Sequence, residues 1–294
     1  MDGAGTGVGD EAAPAGKPEA RGPSWMIDRG AGSPVVLVHG QPGEGADWEP
    51  VVAALEGRYR VLAPDRPGWG SNPRPAVGVA ANADWLDGAL EECVGDAAVL
   101  VVGHSFGGGI ALALAARRPQ RVRALVLVGS IGTDVALTRL DRLLAVPVMG
   151  GAIVRVGTVA ARGVMSLARR SLKRMGRAAG IDRQADGNSM LRVLSGEEPV
   201  PADAWRSFTV EQRALVRETP DLEAALPSLE VPVVVVVGTH DRVVGVPASR
   251  ALSSALAGAE LLLVPGAGHV LPLEAPEYLA AVVDRYDLIS RLRA

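Results

Sequence analysis

Six short apolar runs punctuate the chain: Val35–Val38, Tyr59–Ala63, Val99–Val102, Ala124–Val128, Val233–Val237 and Leu261–Val264. Valine dominates most of them. A strand with one wet face alternates apolar and polar residues; a continuous run suits a strand covered on both faces of a parallel sheet. Patterns of helical period fall between the runs, at Trp48–Leu55, Trp85–Val94, Gly108–Arg118 and Ala248–Leu256. A last one starts at Pro276 and places Leu279, Val282, Val283, Tyr286 and Ile289 on one face. Strand–helix alternation of this kind predicts an α/β fold, a mostly parallel central sheet flanked by helices.

The alternation breaks once. From Gly132 to Asp221 there are Ala-, Leu- and Arg-rich helical patterns and loops but no clear strand. The simplest organisation is a core of residues 25–131 and 222–294, interrupted by a helical insertion at 132–221. Residues 1–24 are rich in Gly, Ala and Pro and read as a disordered tail; they lack the basic and apolar regions of a signal peptide. No run reaches the ~18 consecutive apolar residues of a membrane span, so a cytoplasmic protein is the expectation. The formal net charge of −3 gives no general attraction for nucleic acid. It hides a regional contrast. Between Val135 and Ser195 eleven bases face three acids, a net of +8, which leaves −11 on the rest of the chain.

Scarce residues narrow the chemistry. One cysteine, Cys93, excludes an internal disulfide framework and a Cys-based zinc site. Four histidines, His39, His104, His240 and His269, are the only imidazoles. The strand at Val99–Val102 runs into Gly103-His104-Ser105-Phe106-Gly107 and then a Gly-rich helix start, a G-x-S-x-G pattern in a strand–turn–helix context. A sharp turn there strains the central residue, and flanking glycines such as Gly103 and Gly107 remove clashing Cβ atoms. The turn lifts the Ser105 hydroxyl above the sheet at the positive end of a helix. The rival explanation, a dinucleotide or nucleotide-phosphate turn, lacks its G-x-G-x-x-G or G-x-x-x-x-G-K-[ST] pattern.

A serine nucleophile needs a base. His104 precedes Ser105 directly and points away from its hydroxyl. His269 sits in the Gly-rich loop Pro265–His269, after the last strand, where a side chain can reach the same sheet end. The base in turn needs an acid. Asp241, after Val233–Val237, is favoured; Asp134, beyond Ala124–Val128, is the rival. An oxyanion hole would use the backbone N–H of Phe106 and that of Gln41, in the loop His39-Gly40-Gln41-Pro42-Gly43.

These segments, in this order, resemble the α/β-hydrolase superfamily: the oxyanion loop at His39–Gly43, the following loop at Asp65–Ser71, the nucleophile elbow at Gly103–Gly108, the acid loop at Gly238–Asp241 and the histidine loop at Gly266–His269. The resemblance spans Pro34–Leu292 except the insertion, which falls where the family carries its cap domain. It implies the α/β-hydrolase fold and a Ser105–Asp241–His269 serine hydrolase acting on a small, largely apolar ester, lactone or thioester, with no cofactor. Two alternatives remain: the same triad in carbon–carbon bond hydrolysis or cofactor-free perhydrolysis, and a non-catalytic ligand receptor. Serine in place of aspartate disfavours the family's dehalogenase and epoxide hydrolase activities. Family members begin with an antiparallel hairpin; here only 25–28 look strand-like, so that strand is expected to be degenerate or missing. In the insertion, Arg162–Arg177 places Val164, Leu167, Ala168, Leu172 and Met175 on one stripe with bases largely off it. A solvated basic face is the leading reading; weak contact with an anionic membrane or selection of an acidic substrate are the others.

Overall fold

The computed structural model of the chain describes residues 23–157 and 204–293. The basic stripe at Arg162–Arg177 and nearly all of the expected tail lie outside these residues. Among the described residues seven strands form one sheet: β1 (Met26–Arg29), β2 (Pro34–Val38), β3 (Arg60–Pro64), β4 (Val99–His104), β5 (Val122–Val128), β6 (Val233–Gly238) and β7 (Glu260–Val264). Their order is β1-β3-β2-β4-β5-β6-β7, every pair parallel except β1 with β3. The first strand is therefore present. Its partner is β3, paired as Met26 with Pro64 and Arg29 with Val61, so no hairpin is needed.

Side chains of period two divide each strand between the two sheet faces. Val99 and Val101 of β4, Leu125 and Leu127 of β5, and Val233 and Val235 of β6 join one core. Leu100 and Val102, Val126 and Val128, and Val234 and Val236 join the other. The first core is covered by α2 (Val79–Val94), α3 (Phe106–Arg117) and α6 (Gly245–Ala255), the second by α1 (Glu49–Leu55) and α8 (Pro276–Arg293). This two-sided cover is why the runs read as continuous valine. β7 departs from that reading: as the sheet edge it buries only Val264, and Leu263 is 37% exposed.

Described parts of the insertion are helical: α4 (Arg139–Leu144), residues 149–157 and α5 (Ala204–Ala225). α5 continues past the expected boundary at 221 before the chain re-enters the sheet. A one-turn helix, α7 (Leu271–Glu274), precedes α8. Among the described residues, no helix is long and apolar enough to cross a membrane.

Candidate active site

All the parallel strands end at the same edge of the sheet, and the loops there gather the residues singled out in the sequence. Between β4 and α3 only Ser105 intervenes, and it takes φ 52°, ψ −117°. A non-glycine residue at positive φ is strained and persists only when its surroundings hold it. Here the Ser105 N–H donates to Val128 O at 2.9 Å, and its carbonyl accepts from Gly108 N–H at 3.0 Å. Gly107 lies against the end of β2, where a Cβ would stand 2.2 Å from Val38 O; Gly103 faces Gly107 across the turn. The elbow therefore tolerates no side chain at either glycine.

Gly40 brings the loop after β2 onto the serine. A Cβ there would meet His104 Nδ1 at 3.0 Å and Ser105 Cβ at 3.1 Å. Gln41 follows, joined to Pro42 by a cis peptide bond. Among the described residues, neither the Gln41 nor the Phe106 backbone N–H donates to a protein acceptor. Phe106 opens α3, where amide groups have no partner within the helix.

Asp241 and His269 meet across the other side. His269 Nδ1 donates to Asp241 Oδ2 at 2.8 Å, and Asp241 Oδ1 accepts the N–H groups of Val243 and Val244 at 2.8 and 3.0 Å. Burial alone would raise the Asp241 pKa, but the His269 and backbone hydrogen bonds outweigh it and hold the carboxyl below its usual value. Asp134, the rival acid, instead pairs with Arg142 at the surface. Among the described residues Ser105 Oγ and His269 share no hydrogen bond; such contacts are often loose without substrate and tighten with it.

The other histidines separate by environment. His104 Nε2 donates to His269 O at 2.9 Å, and burial, then the neighbouring His269, lower its pKa to about 3. His39 is also held neutral, first by burial and then by the Arg66 charge; its Nε2 accepts the Arg66 N–H at 3.0 Å. His240 is exposed. Cys93 is half-buried, its thiol pKa pushed up by burial, with Sγ 3.6 Å from Met26 Sδ. No group of three or more His, Cys, Asp or Glu among the described residues is arranged to hold a metal ion.

An apolar cavity of about 430 Å³ adjoins the Gln41 loop. Pro42 and Trp69 contribute from the core; Leu140, Leu144, Ile153, Trp205 and Phe208 come from the insertion. None of its described lining residues is charged. Sequence reasoning missed the contacts from α5 to this loop and to the loop after β3: Gln41 Nε2 donates to Phe208 O at 2.9 Å, Ser207 Oγ donates to Gly68 O at 2.8 Å, and Glu211 pairs with Arg66. Nothing in the sequence near residues 205–211 carries a motif, so no local signal could have found them.

The family model for the alpha/beta hydrolase family matches residues 35–282. The chain belongs to that family. It is 32% identical over 268 residues to the 2-hydroxymuconate semialdehyde hydrolase of Pseudomonas sp. (strain CF600), covering 88% of each chain. It is 29% identical over 260 residues to the pimeloyl-[acyl-carrier protein] methyl ester esterase of Nitrosomonas europaea, covering 87% of this chain and 96% of the relative. Among solved structures, a thermophilic esterase from Thermogutta terrifontis superposes with a TM-score of 0.68 at 22% identity, over 90% of this chain and 93% of that one. That likeness is one of fold.

Proposed function

We propose that the protein is a serine hydrolase of carboxylic esters with a small, largely apolar acyl group. The observation that carries this is the arrangement at the sheet edge: a strained Ser105 under the Gly40 loop, with the Asp241–His269 pair at 2.8 Å beside it. Ser105 Oγ attacks the acyl carbonyl while His269 Nε2 takes its proton. Asp241 keeps the Nδ1–H tautomer and supports the imidazolium. The Gln41 and Phe106 N–H groups receive the oxyanion, where preorganised donors cost no reorganisation as charge develops. His269 then protonates the leaving alcohol. Water, deprotonated by His269, releases the acid from Ser105. The described lining of the cavity, which carries no charged residue, supports an apolar acyl group, and the relative named as a methyl ester esterase is consistent with the reaction class.

A second reading, carbon–carbon bond hydrolysis by the same residues, is favoured by the 32% identity to a 2-hydroxymuconate semialdehyde hydrolase. The substrate in that relative's name is a dienoic acid carrying a carboxylate, which a cavity of apolar described residues does not match. Turnover of short-chain p-nitrophenyl esters beside a ring-fission dienoate separates the two. Ester turnover that falls at least ~10³-fold in Ser105→Ala, with the dienoate untouched, is expected. An unchanged rate in that variant would end the serine hydrolase reading, and dienoate turnover without ester turnover would transfer it to carbon–carbon chemistry.

A further inference from the structure

Arg66 has no exposure to solvent, and its guanidinium divides its donors between one short stretch of backbone and the Glu211 carboxylate. Its Nε donates to His39 O at 3.0 Å, one terminal nitrogen to Gly40 O at 2.8 Å, and its own N–H to His39 Nε2 at 3.0 Å. The guanidinium carbon lies 5.0 Å from the centre of the Phe106 ring. Arg66 thus underlies both residues whose N–H groups face the proposed oxyanion: Gln41, next in the chain after Gly40, and Phe106.

A cation buried this deeply needs a counter-charge. The neighbouring Asp65 does not supply it, because its carboxylate accepts from Gly45 N–H, Ser71 N–H and the Ser71 hydroxyl. The counter-charge is Glu211, equally buried, which α5 carries in from the insertion. One turn earlier on the same helix, the Phe208 carbonyl receives the Gln41 side chain, and Ser207 reaches Gly68 O. The sheet core alone leaves Arg66 uncompensated. The inserted helix completes the charge balance beneath the loop.

We propose that α5, through Glu211 on Arg66 and Phe208 O on the Gln41 side chain, sets the position of the oxyanion loop, so that Glu211 and Arg66 are positioning residues for catalysis. The inference rests on the serine hydrolase reading. The helix does more than roof a cavity: its placement decides whether the Gln41 N–H stands where negative charge develops. A misplacement of about 1 Å costs on the order of 10²-fold in rate. A group that acts only as the charge forms changes kcat while leaving substrate binding alone.

The test uses the full chain with Glu211→Gln, which keeps the side-chain shape and removes the charge. In variant confirmed folded by its thermal transition, kcat on an ester is expected to fall about 10²-fold with KM within about threefold. Affinity for an alkylboronic acid, which forms a tetrahedral adduct on a serine hydroxyl, should fall with kcat, because it too needs the oxyanion donors. A merely structural role would lower the melting temperature and leave kcat per folded molecule intact; that result, or a change confined to KM, overturns the proposal. Should Glu211→Gln fail to fold, Gln41→Met decides by the same readings. It removes the link to Phe208 O without burying a lone charge, and a roughly 10-fold loss in kcat is expected. Ser105→Ala in the same series separates the two claims. Retained activity there rejects the hydrolase reading itself; lost activity there, with wild-type kcat in both Glu211→Gln and Gln41→Met, rejects only this inference.

Discussion

His104 and His269 are the same residue type with ring centroids 4.8 Å apart, yet only His269 is paired with a carboxylate, that of Asp241. His104 ends β4, packs edge-on against Trp48 and spends its Nε2–H on the His269 carbonyl. That carbonyl can only accept, so the tautomer is set by its partner. The consequence is a cost in acid. An unfolded chain binds a proton on His104 below about pH 6.5, whereas the folded chain does not until about pH 3. The stability this neutral histidine allows is complete above pH 6.5 and is lost progressively as pH falls toward 3. The loss is at most about 1.4 kcal/mol per pH unit. Urea midpoints measured from pH 7 to pH 4 should fall less steeply in His104→Gln, whose amide can still donate to the carbonyl; equal slopes would contradict this account. At this scale the sequence was informative about Ser105, Asp241 and His269, because strand ends, glycines and scarcity limited the choices. It was silent on Glu211, whose partner lies 145 residues away.

Helices show where local pattern suffices and where it does not. α3 is apolar on every side, with Ile110, Leu112 and Leu114 fully or almost fully buried, because the sheet lies on one flank and α2 and α5 on others. A helix hydrophobic all round must be enclosed, and residues Gly108–Ala116 are all Gly, Ala, Ile or Leu. Truncating Leu112 to Ala should cost about 2–5 kcal/mol, read as a lower urea midpoint with an unchanged slope. A loss under about 1 kcal/mol would mean that the site collapses around the missing methyls. The start of α2 was not visible. The helix begins at Val79, well before the Trp85 pattern, because Glu218 of α5 accepts the Ala80 N–H at 3.0 Å and Asn82 binds back to Val77 O and Gly78 O. A cap supplied from 138 residues away leaves no mark in the local sequence. The edge strand β7 makes the complementary point: its run of leucines reads like an interior strand, and only its neighbours determine that it has one covered side.

Across the whole molecule, stability depends on closing both faces of one sheet. α8 contributes Leu279, Val282, Val283 and Tyr286 to the second face and is anchored by Asp287, which pairs with Arg123 on β5. Burying such side chains is worth roughly 1.5–3 kcal/mol each, so four of them match the 5–15 kcal/mol of net stability that a domain has. A chain ending at Ala275 should therefore lose its cooperative calorimetric transition, and a sharp melt near that of the full chain would disprove the dependence. The fold class and three candidate catalytic positions followed from sequence alone. Their signals are local: valine runs, helical period, and glycines around a strained serine, each dictated by backbone sterics and two-sided burial within a few residues. What only the tertiary structure decided is long-range: the pairing of β1 with β3, the capping of α2 by Glu218, and the burial of Arg66 against Glu211. These rest on which distant segments share a desolvated space, and a buried charge selects its partner by proximity in three dimensions.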